Sequence, residues 1–327
     1  MKKIKNIKIA LVCTSGGHFE QMTNLSDFYN RYNHFWITNR NRQTESQLES
    51  ERKYYIQMAH FKAPWSYLHQ LAPVLKVYAR EKPTHALSTG SGRTAFIPFL
   101  VARLSGIRFL YIDTFSRVKG YSKFGTFLLK SGHHIFTQWN DPGNGRAKYI
   151  GPIFKKIDEF SKNSDRNHIF ITVGTRNEPF PRLIQAIEEL KRKGAVNEKV
   201  IVQAGYTKYD SDCLEIFDFC TPERIDELIL NAKLVVTQES AGIGTKCLKY
   251  NTKFIVMPRE YRCGELPAKS DMNEDLHLKL EEMGYTKVVR STEELRAAIE
   301  SVDELKSGFE FDNKLAMATL EKIMEEV

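Results

Sequence analysis

The sequence predicts an α/β fold of two Rossmann-like domains, each a parallel sheet covered by helices. Apolar runs of four to eight residues alternate with stretches of helical period along almost the whole chain, the pattern of strands buried between crossover helices. These runs divide into two sets around a polar stretch from Gly151-Pro152 to Asn167, which holds Lys155, Lys156, Ser161, Lys162, Asn163 and Ser164 and has the composition of a linker. The chain's 327 residues suffice for two cores of about 150 residues each. The expected domains are therefore residues 1–155 and 156–327.

In chain order, the first-half strands are expected at residues 8–13, 34–37, 85–88, 109–112 and 134–137, and the second-half strands at 168–173, 199–203, 234–237, 253–257 and 287–289. Four of them run into glycine turns: Ser15-Gly16-Gly17, Thr89-Gly90-Ser91-Gly92, Val173-Gly174-Thr175 and Ala241-Gly242-Ile243-Gly244-Thr245. A strand that ends in such a turn and feeds a helix exposes backbone N–H groups able to hold an anion. In the first turn the next residue is His18, the side-chain type best suited to take a proton near neutral pH. In the last, the glycines are expected to open a helix at Lys246. Ligands of open α/β sheets bind beyond the carboxyl ends of strands, so two such domains facing each other would gather these turns around one cleft and hold two substrates. None of the turns is a P-loop or the dinucleotide-binding glycine pattern.

Charge is divided unevenly. Residues 1–155 carry 23 Lys+Arg and 8 Asp+Glu, a net of +15, whereas residues 156–327 carry 25 and 32, a net of −7. A basic half suits nucleic acid, an anionic membrane surface or a phosphorylated substrate. Around residues 117–130, Phe124, Phe127 and Leu128 recur at helical spacing with Lys119, Lys123 and Lys130 beside them. That pattern fits a helix lying in a membrane interface, and equally an ordinary core-facing helix. Residues 96–104 offer a second apolar segment of the same kind. Binding through these segments should favour anionic over neutral lipid and weaken with salt. A basic RNA-binding protein is an alternative, but no recognisable RNA- or DNA-binding motif is present. No run reaches the roughly 18 apolar residues of a membrane span, and Met1-Lys2-Lys3-Ile4-Lys5 leads directly into a strand, so a cytoplasmic protein is expected. The five cysteines, Cys13, Cys213, Cys220, Cys247 and Cys263, lack zinc-ligand spacing and are expected to be reduced structural thiols.

The motifs together resemble a family. Ser15-Gly16-Gly17-His18, Thr89-Gly90-Ser91-Gly92, Tyr111-Ile112-Asp113-Thr114-Phe115-Ser116-Arg117-Val118 and Gln138-Trp139 resemble the membrane-anchoring, acceptor-side subunit of the two-subunit UDP-N-acetylglucosamine transferase of dolichol-linked oligosaccharide synthesis. Ile171-Thr172-Val173-Gly174-Thr175, Pro179-Phe180-Pro181-Arg182-Leu183-Ile184, Val202-Gln203-Ala204-Gly205 and the Ala241-to-Thr245 turn resemble its catalytic, donor-side subunit. The chain is also similar to the paired bacterial capsule and exopolysaccharide transferases, and more distantly to the transferase that completes the peptidoglycan lipid precursor (glycosyltransferase family 28). The resemblance implies a GT-B fold made from one fused polypeptide. It further implies an inverting, metal-independent transfer of a sugar, N-acetylglucosamine or another hexose, from a UDP-sugar to a polyprenyl-diphosphate-linked sugar, with peripheral attachment to the cytoplasmic face of the cell membrane and no cofactor beyond the UDP-sugar donor. UDP-sugar 2-epimerases share the two-domain architecture and are the enzymatic alternative.

Inverting transfer needs a base for the acceptor hydroxyl and stabilisation of the departing diphosphate. His18 and Asp113 are the candidates for proton abstraction, either one acting as base while the other orients it. The acceptor side is expected to use Ser15, Gly16, Gly17, Gly90, Ser91, Gly92, Arg93 and Arg117. The donor side is expected to use Gly174, Thr175, Arg176, Gln203, Gly205, Glu239, Ser240, Ala241, Gly242, Gly244 and Thr245. The chain departs from the family in three places: Ser240 stands where a histidine is usual, Leu248 where a ribose-contacting glutamate is usual, and Asp271-Met272-Asn273-Glu274 replaces Asp-Asn-His-Gln. Glu239, Glu265 or Glu274 is left to take over the ribose. Asp210-Ser211-Asp212 has the spacing of a metal-binding Asp-x-Asp but reads as a solvated loop.

Overall fold

A computed structural model describes residues 7–60, 63–140, 145–155, 166–268 and 274–325. Of the expected linker, Gly151 to Asn167, residues 156–165 lie outside these, as do Asp271, Met272 and Asn273. The chain forms two compact units, Met1–Lys156 with Phe311–Val327, and Ile157–Glu310.

The first unit contains β1 (Lys8–Val12), α1 (Gly17–Thr23), α2 (Ser26–Tyr29), β2 (Asn33–Thr38), α3 (Arg42–Gln47), β3 (Lys53–Tyr55), α4 (Leu68–Glu81), β4 (His85–Thr89), α5 (Gly92–Leu104), β5 (Arg108–Ile112), α6 (Lys123–Lys130), β6 (Ile135–Thr137) and β7 (Ala147–Tyr149). Its strands pair in parallel in the order β3-β2-β1-β4-β5-β6-β7. Side chains of β1 alternate between two cores, Ile9 and Leu11 on one face of the sheet, Ala10 and Val12 on the other. Both faces are covered by helices, which is why these strands read as continuous apolar runs.

The second unit contains β8 (His168–Thr172), α7 (Pro181–Arg192), β9 (Lys199–Gln203), β10 (Glu215–Phe217), α8 (Pro222–Leu230), β11 (Ala232–Thr237), α9 (Ala241–Lys249), β12 (Phe254–Val256), α10 (Asp275–Glu282), β13 (Thr286–Val288) and α11 (Thr292–Glu300). Its parallel order is β10-β9-β8-β11-β12-β13. Each sheet thus contains the Rossmann order, and each reverses direction of winding beside its first strand, between β1 and β4 and between β8 and β11.

The ten expected strands are present. β3, β7 and β10 were not expected, because each is a three-residue edge strand without an apolar run long enough to stand out. A second difference concerns the domain boundary. The last helix, α12 (Lys314–Glu325), packs on the first unit, where Ala316, Leu320 and Met324 join the core of Ile9, Leu11 and Phe28. Residues 311–327 therefore do not belong to the donor-side unit as expected. With this regrouping the first unit carries 26 basic and 12 acidic residues, a net of +14, so its basic character survives.

The amphipathic pattern on α6 resolves mostly in favour of the core. Phe124 and Leu128 are buried, with the Phe124 ring 5.1 Å from that of Tyr111, while Phe127 is 38 % exposed. Phe124→Ser should therefore destabilise the first unit by about 3 kcal/mol or more, the usual cost of truncating a buried phenylalanine. Chemical denaturation checks this; an unchanged midpoint would mean that the ring is not packed. Among the described residues no helix is long and apolar enough to cross a membrane. All five cysteines are free; Cys13 and Cys247 are fully buried, and burial pushes both thiols up.

Candidate functional site

In the first unit the loops after β1 and β4 flank the point where the sheet reverses, the position where open α/β sheets take ligands. Gly90 sits there at φ 78°, and a Cβ added to it would lie 2.4 Å from His18 Nδ1. Only glycine leaves room for the imidazole to pack over this turn. The Thr89 hydroxyl donates to the His18 carbonyl at 2.8 Å and fixes the backbone beneath the ring. Burial lowers the His18 pKa, opposed in part by the negative charge of Asp113. The Nδ1 atom is buried and has no hydrogen-bond partner among the described residues. The ring is therefore a neutral imidazole at pH 7, able to accept a proton beside a carboxylate that favours the charged product.

Asp113 follows β5 and is 3 % exposed. Its carboxylate accepts from the amides of Thr114 (2.9 Å) and Ser122 (2.8 Å) and from the Tyr111 hydroxyl (3.3 Å). A Cβ at Gly125 would lie 2.8 Å from Oδ2, so α6 reaches the carboxylate only because that residue is glycine. The loop after β5 is held from below by two amide side chains. Gln138 donates to Gln21 Oε1 (2.7 Å) and to the Asp113 carbonyl (2.9 Å), and Gln21 accepts from the Phe115 amide (3.1 Å). Trp139 Nε1 donates to the Phe115 carbonyl at 2.6 Å. Gln138-Trp139 thus shape the Asp113 loop. Gln21 went unnoticed in the sequence, where its signal was a polar residue on the buried face of a short helix.

One expectation for this unit fails. The Ser15 and Gly16 amides already donate to Asn39 Oδ1 (2.8 Å) and Gln43 Oε1 (2.7 Å), so they do not form an open anion cradle. The helix behind them, α1, has seven residues. At α5, thirteen residues long, the Ser91 side chain likewise caps no amide, and its φ of 53° turns the chain sharply into Gly92. Arg93 donates through Nε to the Ala59 carbonyl at 2.7 Å and so anchors a neighbouring loop. Gly17 and Arg117 are exposed.

In the second unit the loops after β8 and β11 flank the reversal. Gly174 (φ 77°) and Gly205 (φ 57°) are both forced: a Cβ on the first would overlap Gln238 Nε2 at 1.9 Å, and one on the second would lie 2.5 Å from the Gly174 carbonyl oxygen. Gln203 accepts from Thr172 Oγ1 at 2.7 Å and is buried, a role in holding the strand ends. Thr175 and Arg176 are exposed at the strand end. Helix α9 begins at Ala241, not at Lys246 as expected, because Ser240 caps it by accepting from the Ile243 amide at 3.4 Å. The glycines therefore lie within its first turn. Among the described residues no atom lies within 4 Å of the Cβ that Gly242 lacks, and its φ is not positive, so the backbone there faces open space. Gly244, by contrast, faces His277 Nε2 at 3.3 Å. His277 is fully buried, and burial pushes its pKa down to about 4, opposed in part by a hydrogen bond with the Ser240 backbone. Thr245 is buried and Ala241 half-buried.

The three glutamates considered for the ribose separate clearly. Glu265 is buried and binds Arg182 through Nε and Nη2, each at 2.9 Å, and the Glu260 amide at 2.7 Å. Glu274 pairs with Arg290. Glu239 accepts from the Arg259 amide through Oε2 at 2.8 Å, is half-buried, and immediately precedes the cap of α9. It alone of the three lies at the helix start. Asp212 pairs with Arg192, which also binds Glu188 Oε1 at 2.9 Å. Hydrogen bonds from Ser211 and Tyr209 bring the Glu188 carboxyl down to about 2, so this loop is an ion-paired surface network.

No protein-family model matches the chain, and no curated protein sequence matches it. Solved structures do. MurG from Acinetobacter baumannii superimposes with a TM-score of 0.63 at 13 % identity, covering 98 % of this chain and 100 % of that one. CalG4, the calicheamicin glycosyltransferase, gives 0.62 at 11 % identity over 99 % of both chains. The UDP-GlcNAc 2-epimerase of Methanocaldococcus jannaschii in complex with UDP-GlcNAc and UDP gives 0.66 at 14 % identity, covering 98 % of this chain and 100 % of that one. At these identities the likeness establishes the fold: the chain is a two-domain α/β protein of GT-B type.

Proposed function

We propose that the chain is an inverting glycosyltransferase. It moves N-acetylglucosamine or another hexose from a UDP-sugar to a polyprenyl-diphosphate-linked sugar at the cytoplasmic face of the cell membrane. The observation that carries this reading is the pair at the first switch point: a half-buried imidazole, its Nδ1 buried and its pKa lowered, seated on Gly90 near an immobilised carboxylate. The hydrogen bonds around Asp113 support one division of labour. His18 is the base, and Asp113, with its oxygens committed to Thr114, Ser122 and Tyr111, positions the loop and stabilises the imidazolium. His18 removes the acceptor hydroxyl proton as that oxygen attacks the anomeric carbon. The bond from that carbon to the UDP oxygen breaks on the opposite face, and the electron pair leaves on the diphosphate. The first turn of α9 at Gly242 and the exposed Arg176 receive that charge, with no metal required in the balance.

The first unit's charge and its exposed Trp65, Leu68, Leu75, Leu104 and Phe127 support peripheral attachment to anionic membrane. The second reading is a UDP-GlcNAc 2-epimerase, favoured by the TM-score of 0.66 to such an enzyme with nucleotide bound. Reactions with UDP-N-acetylglucosamine, with and without a short-chain prenyl-diphosphate-linked sugar, separate the two when extension of the lipid is read by mass spectrometry and the 2-epimer, which has the same mass, by proton NMR. Extension of the lipid-linked sugar is expected, in excess chelator, and equally with Asp210→Ala. Conversion of UDP-N-acetylglucosamine to its 2-epimer without acceptor would overturn the transferase reading, and a metal requirement abolished by Asp210→Ala would overturn the metal-free chemistry.

A further inference from the structure

We infer that a groove on the first unit, between α4, α5 and α6, binds the isoprenoid chain of a prenyl diphosphate as a single extended chain. The inference rests on the acceptor class just proposed and assigns a place to the part of the acceptor that does not react. The groove has a volume of about 840 Å³. Leu71 and Leu75 of α4 face Phe96, Leu100 and Leu104 of α5, and Phe127 of α6 closes one side. Spacings of four residues along α4 and of four and eight along α5 keep each set on one face of its helix. These leucines are not left over from a core: Leu75 is 48 % and Leu104 87 % exposed. Volume and lining match a small-molecule site, concave and apolar with a few polar groups fixing orientation.

The polar groups sit at the ends, and they are not equivalent. From Gly92 to Leu104, α5 spans about 18 Å along the groove. At the Leu104 end only Ser105 is polar. At the Gly92 end the groove is lined by Lys123, and the starts of α5 and α6 meet so closely that a Cβ on Gly92 would lie 2.9 Å from that of Phe124. The first turn of α6 is already served by the Ser122 hydroxyl and by Asp113, whereas the start of α5 has no side-chain cap. An anionic head therefore belongs at Gly92 and an apolar chain along α5 toward Leu104. That polarity also puts the head beside the His18 and Asp113 loops, since Gly90 carries the imidazole and Gly125 touches the carboxylate. A flat membrane-docking face accounts for exposed leucines, but not for a concave groove whose lining includes Gly92 and Lys123 at one end and is apolar along α5.

The test uses the whole chain without membranes or UDP-sugar, with farnesyl diphosphate and inorganic pyrophosphate as probes in isothermal titration. Farnesyl diphosphate is expected to bind about 30-fold or more tightly than pyrophosphate, the apolar chain supplying the difference. Leu71→Glu with Leu100→Glu should erase that difference and leave pyrophosphate affinity within about threefold, with an unchanged circular dichroism spectrum. Leu104→Arg, at the far end, should weaken a C20 prenyl diphosphate more than a C10 one. Equal affinity for the two probes would overturn the inference. So would a chain-dependent gain that survives the double substitution, or a substitution that abolishes vesicle binding or self-association but not farnesyl diphosphate binding. The two proposals fail separately. Chain-dependent binding without sugar transfer removes the transferase and keeps the groove. Transfer indifferent to chain length and to Leu71→Glu with Leu100→Glu does the reverse.

Discussion

His18→Ala is expected to lower kcat by about 10²- to 10⁴-fold, the range for loss of a positioned general base, with KM for the UDP-sugar unchanged. The proposed donor contacts, Gly174 and Glu239 among them, lie on the second unit and His18 on the first. The fold should persist, because the imidazole rests on a glycine turn at the strand ends and not within either core of the sheet. The pH profile adds an independent sign. Burial lowers the His18 pKa from the usual histidine value near 6.5, so the acid limb of kcat/KM should fall on the acid side of that value. Asp113→Asn keeps the shape but removes the charge that opposes this shift, so its limb should move further toward acid. Wild-type turnover in His18→Ala would remove the histidine from the mechanism. An acid limb above pH 6.5 would place the base elsewhere.

The same burial works on stability. His18, His85, His168 and His277 all have lowered pKa values in the folded chain, so the unfolded chain binds more protons below pH 6.5. Their contributions are present at neutral pH. They are lost as the pH falls from about 6.5 toward the folded values, which for His85 and His277 are about 4.

The glycine turns were legible because their chemistry is local. A strand running into Gly90 or Gly174 announces a strand-to-helix turn, and the folded chain shows why the side chain is absent: each Cβ would strike one specific partner, His18 or Gln238. Partnerships that span the sequence were not legible. Nothing near Ser15 reveals that Asn39 and Gln43 fill its neighbouring amides, and the resulting loss of an anion cradle depends on a pairing 24 and 27 residues away. The role of Glu265 was hidden for the same reason, being set by Arg182, which is 83 positions distant. The apolar stripe on α6 was visible, but the side it turns to the core was not, since Phe124 and Phe127 differ by less than one helical turn. A C-terminal helix that packs on the first unit leaves no local trace at all.

Arg259 was missed entirely, and its removal should have the largest effect on the second unit. The side chain is 1 % exposed, and its guanidinium donates to the carbonyls of Val173 (2.9 Å), Glu178 (2.7 Å) and Glu265 (3.2 Å) and to the side chain of Gln238. It also lies 4.8 Å from the centre of the Phe180 ring. One planar cation therefore ties the end of β8 to the loop before α7, and both to the Gln238-Glu239 loop that leads into α9. Arg259→Met fills the volume but leaves these buried acceptors unpaired, at about 1–3 kcal/mol for each that finds no water. A loss of about 3 kcal/mol or more in the stability of the second unit is expected. UDP affinity should fall about tenfold or more, because Gly174 and Glu239 lose their common anchor. Arg259→Lys should not rescue, since one ammonium cannot reach acceptors that the guanidinium fork meets from several directions. Calorimetric titration with UDP and a denaturation midpoint for the second unit decide the matter. If Arg259→Met binds UDP and unfolds like the parent chain, the donor loops are held by something other than this guanidinium.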